Sequence, residues 1–281
     1  MKKARLKAQF GVGALLVGLV AIMALLAFVW TPYDPVHAIP EHRLEGISAQ
    51  HWLGTDQYGR DILSRIMDGA RISLRVAVAS VALSALIGVP LGIWAGMSRG
   101  WVDQVIMRSN DLLLAFPALL LAIVFTAVFG ASMWIVVLAI GIAGIPGFAR
   151  VARVGAMQVM SQDYILSARV SQVPGPVIAW RHVLPNITAT LTVQVSVALA
   201  LAILAEAGLS FLGLGTPAPY ASWGRMLQSS QAYLATAPHL ALWPGLAIAA
   251  AVLGFNLLGL SLIHISEPTR RHHVSRMPSS A

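Results

Sequence analysis

Two glycine-rich stretches have the residue types that cradle a phosphate in nucleotide-binding proteins. They read GLSFLGLG at 208–215 and LGTDQYGRD at 53–61. A phosphate-binding loop of the form GxxxxGK[ST] also needs a lysine to neutralise the phosphates, and both stretches lack it. Neither that loop nor an HExxH zinc motif occurs in the 281 residues, and the sequence has no cysteine. The sequence therefore predicts no nucleotide site, no metal site and no bound cofactor in this chain.

Acidic and hydroxyl side chains within the apolar segments are the second group that could do chemistry. Asp111 and Glu206 are the only acids at or inside a predicted span, and each is near a span end. Ion-coupled carriers need ionisable groups near the middle of the bilayer, which disfavours a carrier. A polytopic membrane enzyme would need a nucleophile beside a base, and Ser84 and Ser196 have no histidine within a span core. Glu206 is a candidate gate or pathway residue, although a residue at the membrane interface, hydrogen-bonded to nearby backbone, is the favoured interpretation.

The composition is that of a polytopic membrane protein. Hydrophobic residues make up 57% of the chain and charged residues 11%, with a mean hydropathy of +0.75. Soluble domains average about a quarter charged residues. The net charge of +8 comes from dispersed basic residues beside apolar segments. Orientation in a membrane explains that pattern better than binding of nucleic acid does.

Six apolar segments predict an all-α protein with six transmembrane helices. They cover Phe10–Trp30 and residues 76–97, 112–130, 133–149, 187–207 and 240–260. The first is long for a signal peptide and no small-x-small cleavage site follows it, so we expect a retained span. Lys2, Lys3, Arg5 and Lys7 place the N-terminus in the cytoplasm. With six spans, both termini are then cytoplasmic.

The connections follow from that orientation. Segment 31–70 holds six of the eleven acids and is predicted to lie outside, as is segment 208–239. The sequence GASM between the third and fourth spans predicts a tight hairpin. Segment 147–186, with four arginines, is predicted to face the cytoplasm.

A glycine repeat occupies one face of the second span. Gly88, Gly92 and Gly96 recur every four residues and allow another helix to approach closely. Packing within the chain is favoured over a subunit interface. Pro90, among these glycines, predicts a kink.

Segment 147–186 is much longer than a bare connection between helices. DYILSA and VIAWRHVLPN predict two short helices split by Pro174, Gly175 and Pro176, which cannot continue a helix. A bent pair of amphipathic helices fits a groove on a partner protein. A hairpin lying on the membrane surface fits the same pattern.

Several motifs occur in an order that resembles a known family over residues 1–259. They read HWLGTDQYGRDILSRIMDGARISL (51–74), DYILSARVSQVPGPVIAWRHVLPN (163–186), ILAEAGLSFLGLG (203–215), SWGRML (222–227) and PGLAIAAAVLGFNLLG (244–259). The chain resembles the inner-membrane permease subunits of ATP-binding-cassette (ABC) importers for dipeptides, oligopeptides and nickel. It is most similar to the second, C-type subunit.

The resemblance implies a type I importer permease fold in the bacterial inner membrane. It implies a transport subunit with no ATPase site of its own, paired with a second homologous permease. Two cytoplasmic subunits would bind ATP and Mg²⁺, and a periplasmic or lipid-anchored binding protein would deliver the solute. Membrane lipid would surround the assembly, and no nucleic acid is involved. Peptides are the expected solutes, while nickel chelates, glutathione and opines stay open.

The resemblance also identifies candidate site residues. Segment 150–185 corresponds to the cytoplasmic coupling loop, called the EAA loop, which docks on the ATPase subunit. Its candidate residues are Asp163, Tyr164, Leu166, Ser167, Ala168, Gln172, Pro174, Gly175, His182, Leu184 and Pro185. The Glu-Ala-Ala positions of the loop are occupied by Leu166, Ser167 and Ala168. Gln172 stands where the family has a glycine, and a glycine suits the left-handed conformation at the end of a helix. We expect Pro174-Gly175-Pro176 to make that turn instead.

A second set of candidates belongs to the family's periplasmic motif. Its residues are Leu53, Gly54, Thr55, Asp56, Gly59, Arg60 and Asp61. The predicted organisation is a first segment and span at 1–30, a periplasmic loop at 31–75, a permease core at 76–259 and a tail at 260–281. That tail departs from the family and resembles translated adaptor sequence. We expect it to be non-native and assign no function to His264, His272 or His273.

Overall fold

A computed structural model describes the backbone of residues 2–98 and 100–266, and the side chains of residues 8–98 and 100–262. It contains α1 (Lys2–Leu26), α2 (Ile62–Ser98), α3 (Gly100–Ala115), α4 (Ala118–Phe129), α5 (Met133–Met160), α6 (Asp163–Val170), α7 (Gly175–Ile178), α8 (Leu184–Phe211), α9 (Trp223–Ser230) and α10 (His239–Ser266). The fold is helical, as predicted. Helix α10 continues into segment 260–281, while His272 and His273 lie outside the described residues.

The third predicted span is not one straight helix. Helices α3 and α4 meet at an angle of 78°, so the described residues hold five helices that can cross a membrane, or six if this pair counts as one span. The bend lies at Pro117, which has no amide hydrogen and disfavours a helical conformation for Phe116. Helix α4 alone has 12 residues. At about 1.5 Å per residue it is too short for a hydrocarbon core of about 30 Å.

Helix α2 begins at Ile62, well before the apolar run that predicted a span from residue 76. The hydropathy of its first turns is low because they carry Arg65, Asp68 and Arg71. Asp68 and Arg71 form an ion pair at 2.6 Å. The last residues of the predicted loop 31–75, from Ile62 onward, therefore belong to helix α2. Asp68 in α2 and Asp103 in α3 add to the two acids that the sequence assigned to spans.

Helices α2 and α5 run parallel and in close contact, and the residues that meet across the contact are 57 positions apart in the sequence. Ser80 and Ser84 donate hydrogen bonds to the carbonyl oxygens of Val137 and Gly141, at 3.2 and 2.6 Å. The glycine repeat continues this face of α2. A Cβ atom added to Gly88, Gly92 or Gly96 would lie under 3.0 Å from a backbone oxygen of α5. The prediction that the repeat packs within the chain is confirmed, and α2 stays helical through Pro90.

The remaining helices pack around this pair. Helix α1 lies against α10, where Gly13 and Gly254 allow the two backbones to approach closely. Trp223 at the start of α9 is fully buried, and its ring nitrogen donates to the carbonyl oxygen of Ile66 at 3.1 Å. Gly130 ends α4 with φ 85°, and the Ser132 hydroxyl caps α5 at Trp134. The predicted hairpin at GASM is confirmed.

Candidate functional site

The segment from α6 to the start of α8 is fixed to one end of the helix bundle by buried aliphatic side chains. Ile165 of α6, Ile178 of α7 and Val183 lie in a single apolar cluster with Ile93 of α2 and Ile187 of α8. Side chains of α5 complete that cluster. Burial of a large aliphatic side chain contributes about 1.5–3 kcal/mol. The segment is therefore held to three long helices and is not a free loop.

Helix α6 ends in a Schellman motif centred on Gln172. The Val173 amide donates to the Ala168 carbonyl at 3.0 Å, and the Gln172 amide donates to the Arg169 carbonyl at 2.9 Å. These are the two bonds that define the motif. Gln172 has φ 57°, the left-handed conformation that glycine adopts most easily. The expectation that Pro174-Gly175-Pro176 replaces this turn was wrong, because Gln172 makes it.

Those three residues begin the next helix. The Pro174 carbonyl accepts hydrogen bonds from the amides of Val177 and Ile178, at 3.0 and 3.1 Å. The helix then continues without a break into α8, so VIAWRHVLPN is the start of a helix over Gly175–Phe211, not a separate short helix. Proline at its first turn costs little, since that amide would have no intrahelical partner.

A wide π turn at Ala179–Val183 joins α7 to α8. The Leu184 amide donates to the carbonyl of Ala179, five residues back, and the Asn186 side chain donates to the His182 carbonyl at 2.6 Å. Pro185 has no amide hydrogen and its ring would crowd a carbonyl four residues back in a regular helix. The π turn widens the backbone directly before that proline. Leu184 and Pro185 are therefore helical residues and not the end of a loop.

The outer side of this segment exposes five large hydrophobic side chains among polar ones. We call it the α6–α7 surface, and it consists of Tyr164, Leu166, Val170, Val177 and Trp180. Leu166 is 53% exposed and Trp180 is 76% exposed. A groove of about 720 Å³ lies beside it, lined by side chains that include Trp94, Arg169 and Leu184. Large hydrophobic residues exposed close together at the end of a bundle are typical of protein-binding surfaces.

The candidate coupling residues share this region. Asp163, Ser167, Pro174, Gly175 and Pro185 are exposed, like Tyr164, Leu166 and Gln172, while Ala168, His182 and Leu184 are half-buried. The Tyr164 and His182 rings lie 6.2 Å apart between centroids. All eleven therefore lie at one end of the bundle.

Two ion pairs join α3 to α5 near this end. Asp103 binds Arg153 with both carboxylate oxygens, at 2.5 and 2.6 Å, and both side chains are mostly shielded from solvent. Asp111 binds Arg150 at 2.6 Å, but these two side chains are more than half exposed. Neither pair was predicted from the sequence, because partners 50 and 39 residues apart leave no local signal.

The predicted periplasmic motif lies at the opposite end, before α2. Asp56 accepts hydrogen bonds from the amides of Tyr58 and Arg60 and pairs with the guanidinium of Arg60 at 2.7 Å. Arg65 approaches the same carboxylate at 3.4 Å and donates to the Pro35 carbonyl at 2.9 Å. These charges are almost wholly buried. The network therefore fastens segment 31–50 to the first turns of α2.

The rest of that motif is also buried and structural. Asp61 caps α2 by accepting from the amide of Ser64 at 2.8 Å, and it binds a ring nitrogen of His51 at 3.0 Å. Gly54 and Gly59 have φ of 82° and 75°, Thr55 is buried and Leu53 is half-buried. The large hydrophobic side chains exposed nearby include Ile47, Trp52 and Tyr58. A partner at this end would contact these three and not the buried motif.

Glu206 of α8 is buried in the same half of the molecule. Its two carboxylate oxygens accept hydrogen bonds from the hydroxyls of Ser73 and Ser210, at 2.9 and 2.6 Å. The favoured interpretation placed its hydrogen bonds on nearby backbone and was wrong, because the donors are serine hydroxyls on α2 and α8. Each oxygen is engaged within the chain, as expected for a packing residue.

Comparisons with known proteins agree with this architecture. A family described as "Binding-protein-dependent transport system inner membrane component" matches residues 88–272. The "Glutathione transport system permease protein GsiD" of Pectobacterium atrosepticum is 42% identical over 260 residues, which cover 91% of this chain and 86% of the relative. The "Dipeptide transport system permease protein DppC" of Alkalihalophilus pseudofirmus is 38% identical over 257 residues, covering 92% and 84%.

A solved structure supports the fold. A chain of the MetNI methionine ABC transporter, in inward-facing conformations, aligns with a TM-score of 0.62. The alignment covers 73% of this chain and 97% of that chain, at 13% identity. At this identity the likeness concerns the fold alone. The relatives do not favour an ion-coupled carrier or a membrane enzyme.

Proposed function

Because this chain belongs to the family of binding-protein-dependent transport system inner membrane components, we propose that it carries short peptides into the cell. It is a multi-pass permease subunit of a bacterial ABC importer and works with other subunits of that importer. The relatives with 42% and 38% identity are named for glutathione and dipeptide transport. These solutes share a peptide bond, an amino group and a carboxylate, so a short peptide is the proposed solute class.

The α6–α7 surface carries the proposal about energy coupling. Its apolar side chains are exposed, whereas Ile165, Ile178 and Val183 on the other side are buried against α2, α5 and α8. A subunit that binds and moves this surface would move the attached helices with it, because a close-packed interior transmits displacement. We therefore propose that the α6–α7 surface docks on an ATP-binding subunit. ATP binding and hydrolysis in that subunit would then move the permease helices through this contact.

The assembly that we propose has five subunits. This chain would pair with a homologous permease, with two ATP-binding subunits on the cytoplasmic side and a binding protein outside. ATP and Mg²⁺ would bind only to the ATP-binding subunits, and this chain would hold no cofactor. The α6–α7 surface and both termini would face the cytoplasm, which agrees with the basic N-terminal residues. Ile47, Trp52 and Tyr58 would face the binding protein.

Cysteine labelling tests the docking and the orientation together, since the chain has no native cysteine. Leu166→Cys on the α6–α7 surface should cross-link to an ATP-binding subunit and resist a membrane-impermeant maleimide in intact cells. Ile47→Cys at the opposite end should react with that maleimide and give no such cross-link. Leu253→Cys, exposed in the middle of α10, is the control that should do neither. Reversed labelling of the two ends would contradict the proposed orientation.

Transport is tested in proteoliposomes that contain the complete importer. We expect uptake of a labelled dipeptide or of glutathione only with ATP inside and the binding protein outside. Competition between the two solutes would identify the preferred one. Uptake that follows an ion gradient without ATP would contradict the importer and favour a secondary carrier.

A further inference from the structure

Three side chains of segment 31–61 form a group with metal-binding chemistry that the sequence pattern did not reveal. His42, Glu45 and His51 each offer one ligand atom, and these atoms lie within 4.8 Å of one another. The His42 ring nitrogen Nδ1 lies 2.7 Å from the Glu45 carboxylate. The rings of His42 and His51 are 5.7 Å apart between centroids. We propose that this group binds a divalent transition-metal ion of the zinc type.

The hydrogen bond between His51 and Asp61 prepares His51 as a ligand. The His51 side chain is almost wholly buried, and its Nδ1 lies 3.0 Å from a carboxylate oxygen of Asp61. The other oxygen of Asp61 accepts from the amide and the hydroxyl of Ser64. An ionised carboxylate only accepts hydrogen bonds, so Nδ1 of His51 carries the proton. Its Nε2 then holds a free lone pair, as in carboxylate–histidine–metal triads.

The backbone that carries the other two ligands is also held in place. The Thr55 hydroxyl donates to the His42 carbonyl, and it accepts from the Glu45 amide at 2.9 Å. The Thr55 amide donates to the Glu45 carbonyl at 3.0 Å. Leu44, between the two ligands, has φ 57° and donates to the Asp56 carbonyl. The buried network around Asp56 therefore positions His42 and Glu45 close to His51.

The side chains need only a small adjustment to surround an ion. In a tetrahedral site with metal–ligand distances of about 2.1 Å, ligand atoms are about 3.4 Å apart. The side chains of His42 and Glu45 are 40% and 39% exposed, so they can rotate and bring their ligand atoms to this spacing. The ion can also enter from solvent on that side. His51 stays in place, because it is buried and bound to Asp61.

The ligand set selects the class of ion. Two imidazoles and one carboxylate leave one position open, and they suit Zn²⁺, Ni²⁺ or Cu²⁺ better than Mg²⁺ or Ca²⁺, which prefer oxygen ligands. The bound ion would cross-link residues 42 and 45 to residue 51. It would stiffen the segment that precedes α2, whatever solute the importer carries.

Zinc binding to the purified full-length chain tests this proposal. After removal of metal with EDTA, we expect titration calorimetry with ZnCl₂ to detect a site that Mg²⁺ does not compete for. His42→Gln and Glu45→Gln should each weaken binding at least tenfold. Glu41→Gln changes the same charge on an exposed neighbour and should bind as the parent does. The C-terminal histidines remain in every variant, so their contribution cancels.

Folding of the variants is checked by their thermal unfolding without metal, since His42 and Glu45 are only half-buried and should tolerate glutamine. Asp61→Asn provides a second test, and we expect its zinc affinity to fall about tenfold to a hundredfold because it no longer orients His51. Absence of zinc binding to the parent chain would overturn the proposal. Equal affinity of the parent, His42→Gln and Glu45→Gln would overturn it as well.

Discussion

The Val173 amide donates to the Ala168 carbonyl at 3.0 Å, and this bond closes helix α6 around a left-handed Gln172. A glutamine in that conformation is strained, because its Cβ lies too close to the following carbonyl. Two buried side chains, Ile165 and Ile178, hold the chain on either side of the turn. The packing of this segment therefore imposes a backbone conformation that the residue itself disfavours.

We expect Gln172→Gly to stabilise the protein. Relief of about 1–2 kcal/mol of left-handed strain is offset by the added chain entropy of glycine, about 0.5–1 kcal/mol, so the free energy of unfolding should rise by up to about 1.5 kcal/mol. Thermal unfolding in detergent measures this change. Gln172→Ala keeps the strain and should show no gain. A lower melting temperature for the glycine variant would contradict the Schellman geometry.

The double change Leu166→Glu with Gln172→Gly should leave coupling equal or better. It restores the residue types of the EAA loop at two exposed positions of α6 and its end, and neither side chain supports the buried cluster. The measurement is solute-stimulated ATP hydrolysis by the reconstituted importer. Gln172→Gly alone separates the two contributions. A clear loss of stimulation in the double variant would contradict docking through this surface.

Gly92→Ala should destabilise the protein by about 1–3 kcal/mol, the usual cost of overpacking. The added Cβ would meet the backbone oxygen of Ala149 and lie 2.8 Å from the Cβ of Ala152, so α2 and α5 must separate. Gly18→Ala in α1 is the control, because among the described residues no atom beyond its own stretch of helix backbone lies within 4 Å of its added Cβ. Thermal unfolding of both variants measures the difference in stability. Equal stability would mean that the contact between α2 and α5 is loose.

Asp103→Asn should cost about 1–3 kcal/mol, since it removes a bidentate, charge-assisted contact and leaves Arg153 without its partner. Asp111→Asn should cost less than about 1 kcal/mol, because its pair with Arg150 is exposed. Chemical unfolding compares the two. Asp103→Arg combined with Arg153→Asp should recover part of the loss. Equal losses of unfolding free energy for Asp103→Asn and Asp111→Asn would mean that the pair of Asp103 with Arg153 adds no more stability than the exposed pair.

Patterns carried by neighbouring residues were predictable from the sequence. The spacing of Gly88, Gly92 and Gly96 predicted close packing because residues four apart share one helix face. Pro117 is a local signal for the bend between α3 and α4, but the apolar run around it led to the prediction of one span over 112–130. The start of α2 was missed because charged residues such as Arg65 and Asp68 lower the hydropathy of its first turns.

Features that depend on distant contacts were not predictable. The conformation of Gln172 is set by buried residues on both sides of it, and no local rule favours glutamine there. Asp103 and Arg153 are 50 residues apart in sequence and meet only after α3 and α5 pack. The group of His42, Glu45 and His51 has no spacing that matches a metal motif, because the turns between them bring the ligands together.

Glu206 accepts hydrogen bonds with both carboxylate oxygens, so we expect a packing role and not a gate. In Glu206→Gln, Ser73 and Ser210 can still pair with the amide, since a hydroxyl both donates and accepts, and uptake should stay within about twofold of the parent. Glu206→Leu leaves both hydroxyls without that acceptor and should lower the free energy of unfolding by about 1–3 kcal/mol. Uptake by proteoliposomes and thermal unfolding are measured on the same preparations. A Glu206→Gln importer that unfolds like the parent but no longer transports would assign Glu206 to the transport pathway.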